Sequence, residues 1–84
     1  MNKKVMEDKT LSIESKGIFA YLFSLSDTNL TCCVRMNKIL RDLCISEKRF
    51  YKYRKELINN GYLRIQENFD KDGRRLENIY ILKD

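Results

Sequence analysis

Hydrophobic positions change their spacing several times along the chain, and each change marks a new element. Ile18, Tyr21, Leu22 and Leu25 recur at three and four residues, with Phe19 and Phe23 widening the stripe, which predicts a first helix that is nearly all core. Ser12 is placed to cap its free amide groups and Glu14 lies near the positive end of its dipole. Asp27, Thr28 and Asn29 then supply short polar side chains that compete with the helical backbone and end it near Ser26. Leu30 to Val34 favours a short extended segment, after which Met36, Ile39, Leu40 and Leu43 return to helical spacing.

Cys44, Ile45 and Ser46 break this second helix, with Ile45 free to plug the core and Ser46 to cap a third helix from Glu47. Two helices joined by so tight a turn make a helix-turn-helix unit. In the third helix Phe50, Leu57 and Ile58 are expected to face inward, with Tyr53 and Arg54 at the edges of that side. Asn59, Asn60 and Gly61 end it, and Gly61 suits a left-handed cap because it has no side chain to clash. Tyr62 to Gln66 and Leu76 to Leu82 alternate as strands around an Asp72-Gly73 turn signal, which predicts a hairpin, or wing, with its tip at residues 67–75.

A length of 84 residues leaves room for one domain, 1–84, and its 43% hydrophobic content suffices for a thin core. The polar start, residues 1–10, reads as a flexible basic arm. The longest apolar stretch, Ile18 to Leu25, is far shorter than the roughly 20 residues of a bilayer span, so no membrane partner is expected and the cytoplasm is the expected location. With three cysteines at 32, 33 and 44 there is neither a paired disulfide framework nor a zinc-type spacing, and reduced thiols are expected. The chain has no histidine, which removes the commonest metal ligand and the commonest general base at neutral pH. No catalytic residue, metal or cofactor is therefore expected, and the chain does not read as an enzyme.

A net charge of +5 attracts polyanions, and its distribution narrows the choice. Residues 48–55 hold Lys48, Arg49, Lys52, Arg54 and Lys55 with no acid among them. At about 100° per residue, Lys48, Lys52, Lys55 and Asn59 fall in one sector opposite Phe50 and Leu57, flanked by Arg49 and Tyr51. Lysine, arginine and asparagine on one helical ridge suit the edges of guanine and adenine in a DNA major groove and the phosphates beside it. Arg54 is expected to reach past the core edge toward Glu47 or Asp42 instead. Arg64, Lys71, Arg74 and Arg75 make the hairpin a second locus, suited to the negative potential of a narrow minor groove, although Asp70 and Asp72 dilute it. Lys3 and Lys4 are candidate phosphate contacts in the arm.

The stretch MNKILRDLCISEKRFYKYRKELINNGYL, Met36 to Leu63, resembles the core of the winged-helix family: second helix, turn, recognition helix and the Asn-Gly-Tyr-Leu step into the wing. DKTLSIESKGIFAYLFSL, Asp8 to Leu25, with its Leu-Ser-x-x-x-Lys-Gly start, is similar to the first-helix signature at the front of phage and plasmid replication initiators of low-GC Gram-positive bacteria. The resemblance implies an α+β winged helix-turn-helix, three helices with a short strand and a C-terminal β-hairpin wing. Such initiators carry further domains after the wing, and small plasmid proteins that mark a transfer origin or centromere fit the length better. The resemblance thus implies an accessory role in conjugative transfer, replication or segregation, with duplex DNA as partner, a second copy on repeated half-sites, and a relaxase or replication protein nearby. A transcriptional repressor, or a protein-interaction module that uses the fold without DNA, remain the alternatives.

Overall fold

The computed structural model describes residues 3–83, in the order α1 (Lys3–Glu7), α2 (Ile13–Leu25), β1 (Thr31–Cys33), α3 (Met36–Leu43), α4 (Glu47–Asn59), β2 (Leu63–Gln66) and β3 (Ile79–Leu82). The three strands form one antiparallel sheet in the order β1-β3-β2, so the last strand lies in the middle. Tyr80 is opposite Cys32 on one side and Ile65 on the other, and its ring is fully buried. One face of the sheet meets the core built by Ile18, Phe19 and Leu22 of α2, Ile39 of α3, and Phe50, Tyr53 and Leu57 of α4. Alternation turns Arg64 and Ile81 to the other face.

Four helices stand where three are expected, because the start of the chain is not a free arm. Val5 is fully buried and Leu11 nearly so, and these apolar side chains dock Lys3–Glu7 as a helix against α2. Polar bonds secure the turn between α1 and α2. Asp8 accepts from the Thr10 backbone N–H at 2.8 Å, the Thr10 hydroxyl at 2.6 Å and the Tyr62 hydroxyl at 2.6 Å. These donors, the Thr10 hydroxyl foremost, hold the Asp8 carboxyl at about 2, below its ordinary 3.8. A carboxylate stabilised in the folded state contributes stability above its unfolded pKa and loses it as pH falls through the folded one. The gap in melting temperature between the wild type and Asp8→Asn is therefore expected to be constant above the ordinary value of 3.8 and to close toward about 2. A gap that stays constant through that range would remove Asp8 from the account.

Caps and turns follow the sequence closely. Ser12 accepts from the Ser15 N–H at 3.2 Å to start α2, and Ser46 accepts from the Arg49 N–H at 3.3 Å to start α4. Replacing Ser46 by alanine is expected to lower unfolding free energy by about 1 kcal/mol, read by urea denaturation. Asp27 closes the α2–β1 turn by accepting from the Asn29 N–H and from the backbone and hydroxyl of Thr31. Gly61 sits at φ +80°, so Gly61→Ala is expected to cost about 1 kcal/mol in the same assay. Cys44 ends α3 in the left-handed region at φ 52°, a conformation that usually favours glycine, and Ile45 packs against the core as expected.

The α2–α4 crossing is stitched as well as packed. The fully buried Ser15 hydroxyl donates to the Tyr53 carbonyl at 3.1 Å, and the Ser12 N–H donates to the Glu56 carboxylate. Strand pairing in the hairpin is shorter than alternation suggests, with β3 starting at Ile79 and not at Leu76. Glu77 and Asn78 are occupied by Arg35 and Arg75, and Leu76 makes a single backbone bond to the Asn68 carbonyl. Beyond it lie one isolated bridge, Phe69 to Arg75, and a tip turn in which Asp70 accepts from the N–H groups of Asp72 and Arg74.

Candidate nucleic-acid interface

The α4 helix buries Phe50, Tyr53 and Leu57 against α2 and the sheet, and this fixes where its other residues point. Lys48, Arg49, Tyr51, Lys52, Lys55 and Asn59 are all exposed, as the spacing predicts. Among the described residues no ion pair engages Lys48, Lys52 or Lys55. The ridge is therefore a row of exposed ammonium groups, with Lys52 lying 5.5 Å from the centre of the Tyr53 ring and Asn59 at the far end. Arg49 stands apart: its guanidinium lies 4.0 Å from Glu14, which also accepts from the Tyr53 hydroxyl at 2.8 Å. That hydroxyl, first among its partners, lowers the Glu14 pKa below the usual carboxylate range.

Two expectations about this helix are corrected. Ile58 does not face inward; it is 40% exposed. At about 100° per residue it lies about 80° from Phe50, on the flank shared with Tyr51 and Arg54. Arg54 does not reach Glu47 or Asp42. It stacks on the Tyr51 ring at 4.5 Å and the Phe50 ring at 5.6 Å, while Asp42 is held by Lys38 at 2.8 Å and the Tyr21 hydroxyl at 2.6 Å. Arg54 also lies beside Tyr80: burial raises that phenol's pKa and the nearby guanidinium offsets part of the rise. Arg54 thus joins the flank of α4 to the central strand and props the exposed Tyr51 ring.

Lys71, Arg74 and Arg75 are exposed at the wing, and Arg75 donates to the Asn78 amide oxygen at 3.3 Å. Arg64 is exposed too, but on the sheet face opposite the core, and is not brought together with the α4 ridge. Lys4 is exposed on α1, a docked helix, and the Lys3 side chain lies outside the described residues. The tip carboxylate Asp70 is turned onto its own backbone, while Lys71, Asp72 and Arg74 are exposed charges there.

The sequence reading missed a third basic locus. Arg35, Asn37, Lys38 and Arg41 line an open groove of about 570 Å³ on the outer side of α3, with Leu40 as its floor. The signal was present: Arg35, Lys38 and Arg41 recur every three residues, out of phase with Met36, Ile39 and Leu43. Arg35 is tied to Glu77 at 2.9 Å across the base of the wing. Cys32, Cys33 and Cys44 are free thiols, with burial pushing Cys32 up to about 11. Among the described residues no group of three or more metal-ligating side chains comes together, and no helix is long and apolar enough to cross a membrane.

A helix-turn-helix pair, a three-stranded antiparallel sheet and a hairpin beside the second helix of the pair define an α+β winged helix-turn-helix. The profile of the helix-turn-helix domain family matches residues 9–63, and the chain belongs to that family. Neither a curated protein nor a solved structure matches it. The matched span runs from the lead-in to α2 to the first residue of β2, so it contains the turn and the whole of α4, and it supports double-stranded DNA as the partner.

Proposed function

We propose that the protein is a site-specific duplex-binding factor of a plasmid or phage. In this reading it occupies repeats at an origin and assists conjugative transfer, replication or segregation. The observation that carries the DNA contact is the acid-free ridge Lys48, Lys52, Lys55 and Asn59, exposed along the helix that follows the turn. That helix enters the major groove, with the lysines and Asn59 at base edges or flanking phosphates and Tyr51 against the backbone. Lys71, Arg74 and Arg75 follow the adjacent minor groove. The origin setting is supported by the likeness of Asp8 to Leu25 to the front of replication initiators. A second copy on a neighbouring half-site, and a relaxase or replication protein, are the partners it would serve.

Selection of bound fragments from the DNA of the host element tests both levels. Recovery of repeats at a transfer or replication origin is the expected result. Recovery of promoters would replace the accessory role with repression, and no enrichment, even at low salt, would favour a protein-interaction module. At the level of single residues, Lys52→Ala is expected to cost about 1 to 3 kcal/mol and relax sequence preference if it reads a base. If Lys52 meets a phosphate, the salt slope drops by about 0.9 with preference unchanged. An unchanged affinity, slope and preference would take Lys52 out of the interface.

A further inference from the structure

Two grooves meet at the base of the wing. One, of about 460 Å³, runs between Val34 to Asn37 and Arg75 to Asn78, with Tyr80 in its wall; the other, of about 450 Å³, lies between Leu25, Cys33 and Lys38. Val34, Arg35 and Glu77 line both, so the Arg35–Glu77 ion pair stands where the two grooves adjoin to make one basic channel. Tyr80, buried in the wall of the first groove, lies beside Arg54 of α4 on its inner side.

The channel's chemistry is one-sided. Arg35, Lys38 and Arg75 are its cations, Glu77 is the one carboxylate among the described residues of its lining, and Lys38 is already answered by Asp42 from outside. The Arg35 side chain is 81% exposed, so its bond to Glu77 is a surface pair, held in water and cheap to exchange. Leu76, 41% exposed in the same lining, offers an apolar rest of the kind a deoxyribose ring fits, which an isolated anion would not need.

We propose that this channel takes the sugar-phosphate backbone of the duplex, and that on binding Arg35 exchanges the Glu77 carboxylate for a DNA phosphate. The proposal rests on duplex binding by the α4 face. In the free protein Glu77 holds the guanidinium in place across the channel and cancels its charge. Once α4 and the wing are both seated, a phosphate occupies the channel and Arg35 turns to it, so Glu77 acts as a brake that DNA must release.

Salt titrations of fluorescence anisotropy on a short mixed-sequence duplex test this with four proteins: wild type, Arg35→Gln, Glu77→Gln and the double variant. Lys52→Ala serves as the control for the α4 face. Matched circular dichroism spectra establish that each is folded. Glu77→Gln is expected to bind about two- to fivefold more tightly, the worth of a released surface pair. Arg35→Gln is expected to bind more weakly, with a log affinity against log salt slope shallower by about 0.9. In the Arg35→Gln background, the gain from Glu77→Gln should shrink, because the guanidinium it releases is gone. An undiminished gain there would make Glu77 a remote repeller of DNA and overturn the exchange. An unchanged slope in Arg35→Gln, with Lys52→Ala still weakening binding, would overturn it while leaving the α4 interface intact. Absence of binding by the wild type at low salt would remove the DNA reading itself, and the exchange with it.

Discussion

Replacing Lys48, Lys52 and Lys55 together by glutamine is expected to weaken duplex binding by about a hundredfold or more and to flatten the salt slope by up to about 2.7. All three side chains are exposed and make no ion pair among the described residues, and the Lys52 stem over the Tyr53 ring is kept in part by glutamine, so the fold is expected to stay intact. The change is confined to the field that the duplex meets. Three contacts on one ridge act together in positioning α4, which is why the combined loss should exceed that of a rim charge acting alone. Anisotropy titrations at several salt concentrations, beside thermal melts that show an unchanged midpoint, make the measurement. Wild-type affinity in the triple variant would move the interface away from α4, to the wing or to the channel beside α3.

Phe50→Ala is expected to have the largest effect on folding. Its ring is fully buried, packs near Tyr51 at 6.2 Å between centroids and lies under the Arg54 guanidinium. Truncation removes the transfer free energy of the ring and leaves a void that α2 and the sheet can fill only in part. The expected cost is about 3 to 5 kcal/mol, against roughly 4 to 12 kcal/mol for a folded chain of this length. A substantial unfolded fraction at 37 °C should result, visible as a lowered urea midpoint and a thermal transition shifted by tens of degrees. A loss under about 1 kcal/mol would mean that the cluster around Phe50 repacks, contrary to the density expected of a core. The same substitution leaves Arg54 stacked on Tyr51 alone, so DNA binding should fall further than the folded fraction alone accounts for.

Much of the architecture was legible because its determinants are local. The caps at Ser12 and Ser46, the break at Cys44 to Ser46, and the left-handed cap at Gly61 each follow from one or two residues whose chemistry admits few conformations. The inward positions Phe50 and Leu57, with Tyr53 at their edge, and the outward set Lys48, Lys52, Lys55 and Asn59 follow from helical geometry alone. What escaped depends on partners remote in sequence. Val5 and Leu11 are too few to show a periodic stripe, and only docking on α2 and contacts to Asn60 and Tyr62 make their segment ordered. Ile58 was assigned by its apolarity, although its angle places it on the flank. Charge pairing points Arg54 toward Glu47 or Asp42, but the aromatic rings one turn back take it instead. β3 starts at Ile79, and Glu77 just before it is paired with Arg35, a residue more than forty positions earlier that no local pattern points to.

The two parts proposed to meet DNA, α4 and the wing, differ in how firmly they are held before any partner arrives. The α4 helix is fastened to α2 through Ser15 to the Tyr53 carbonyl and Ser12 to Glu56, whereas the outer wing is joined across its arms by the Phe69–Arg75 bridge and a few turn bonds. Association is therefore expected to spend little chain entropy on α4 and most of it on the hairpin. In calorimetric terms, shortening the wing should make the binding entropy less unfavourable even as enthalpy is lost, and variation in target sequence would be met by the hairpin's adjustment while the helix keeps its pose.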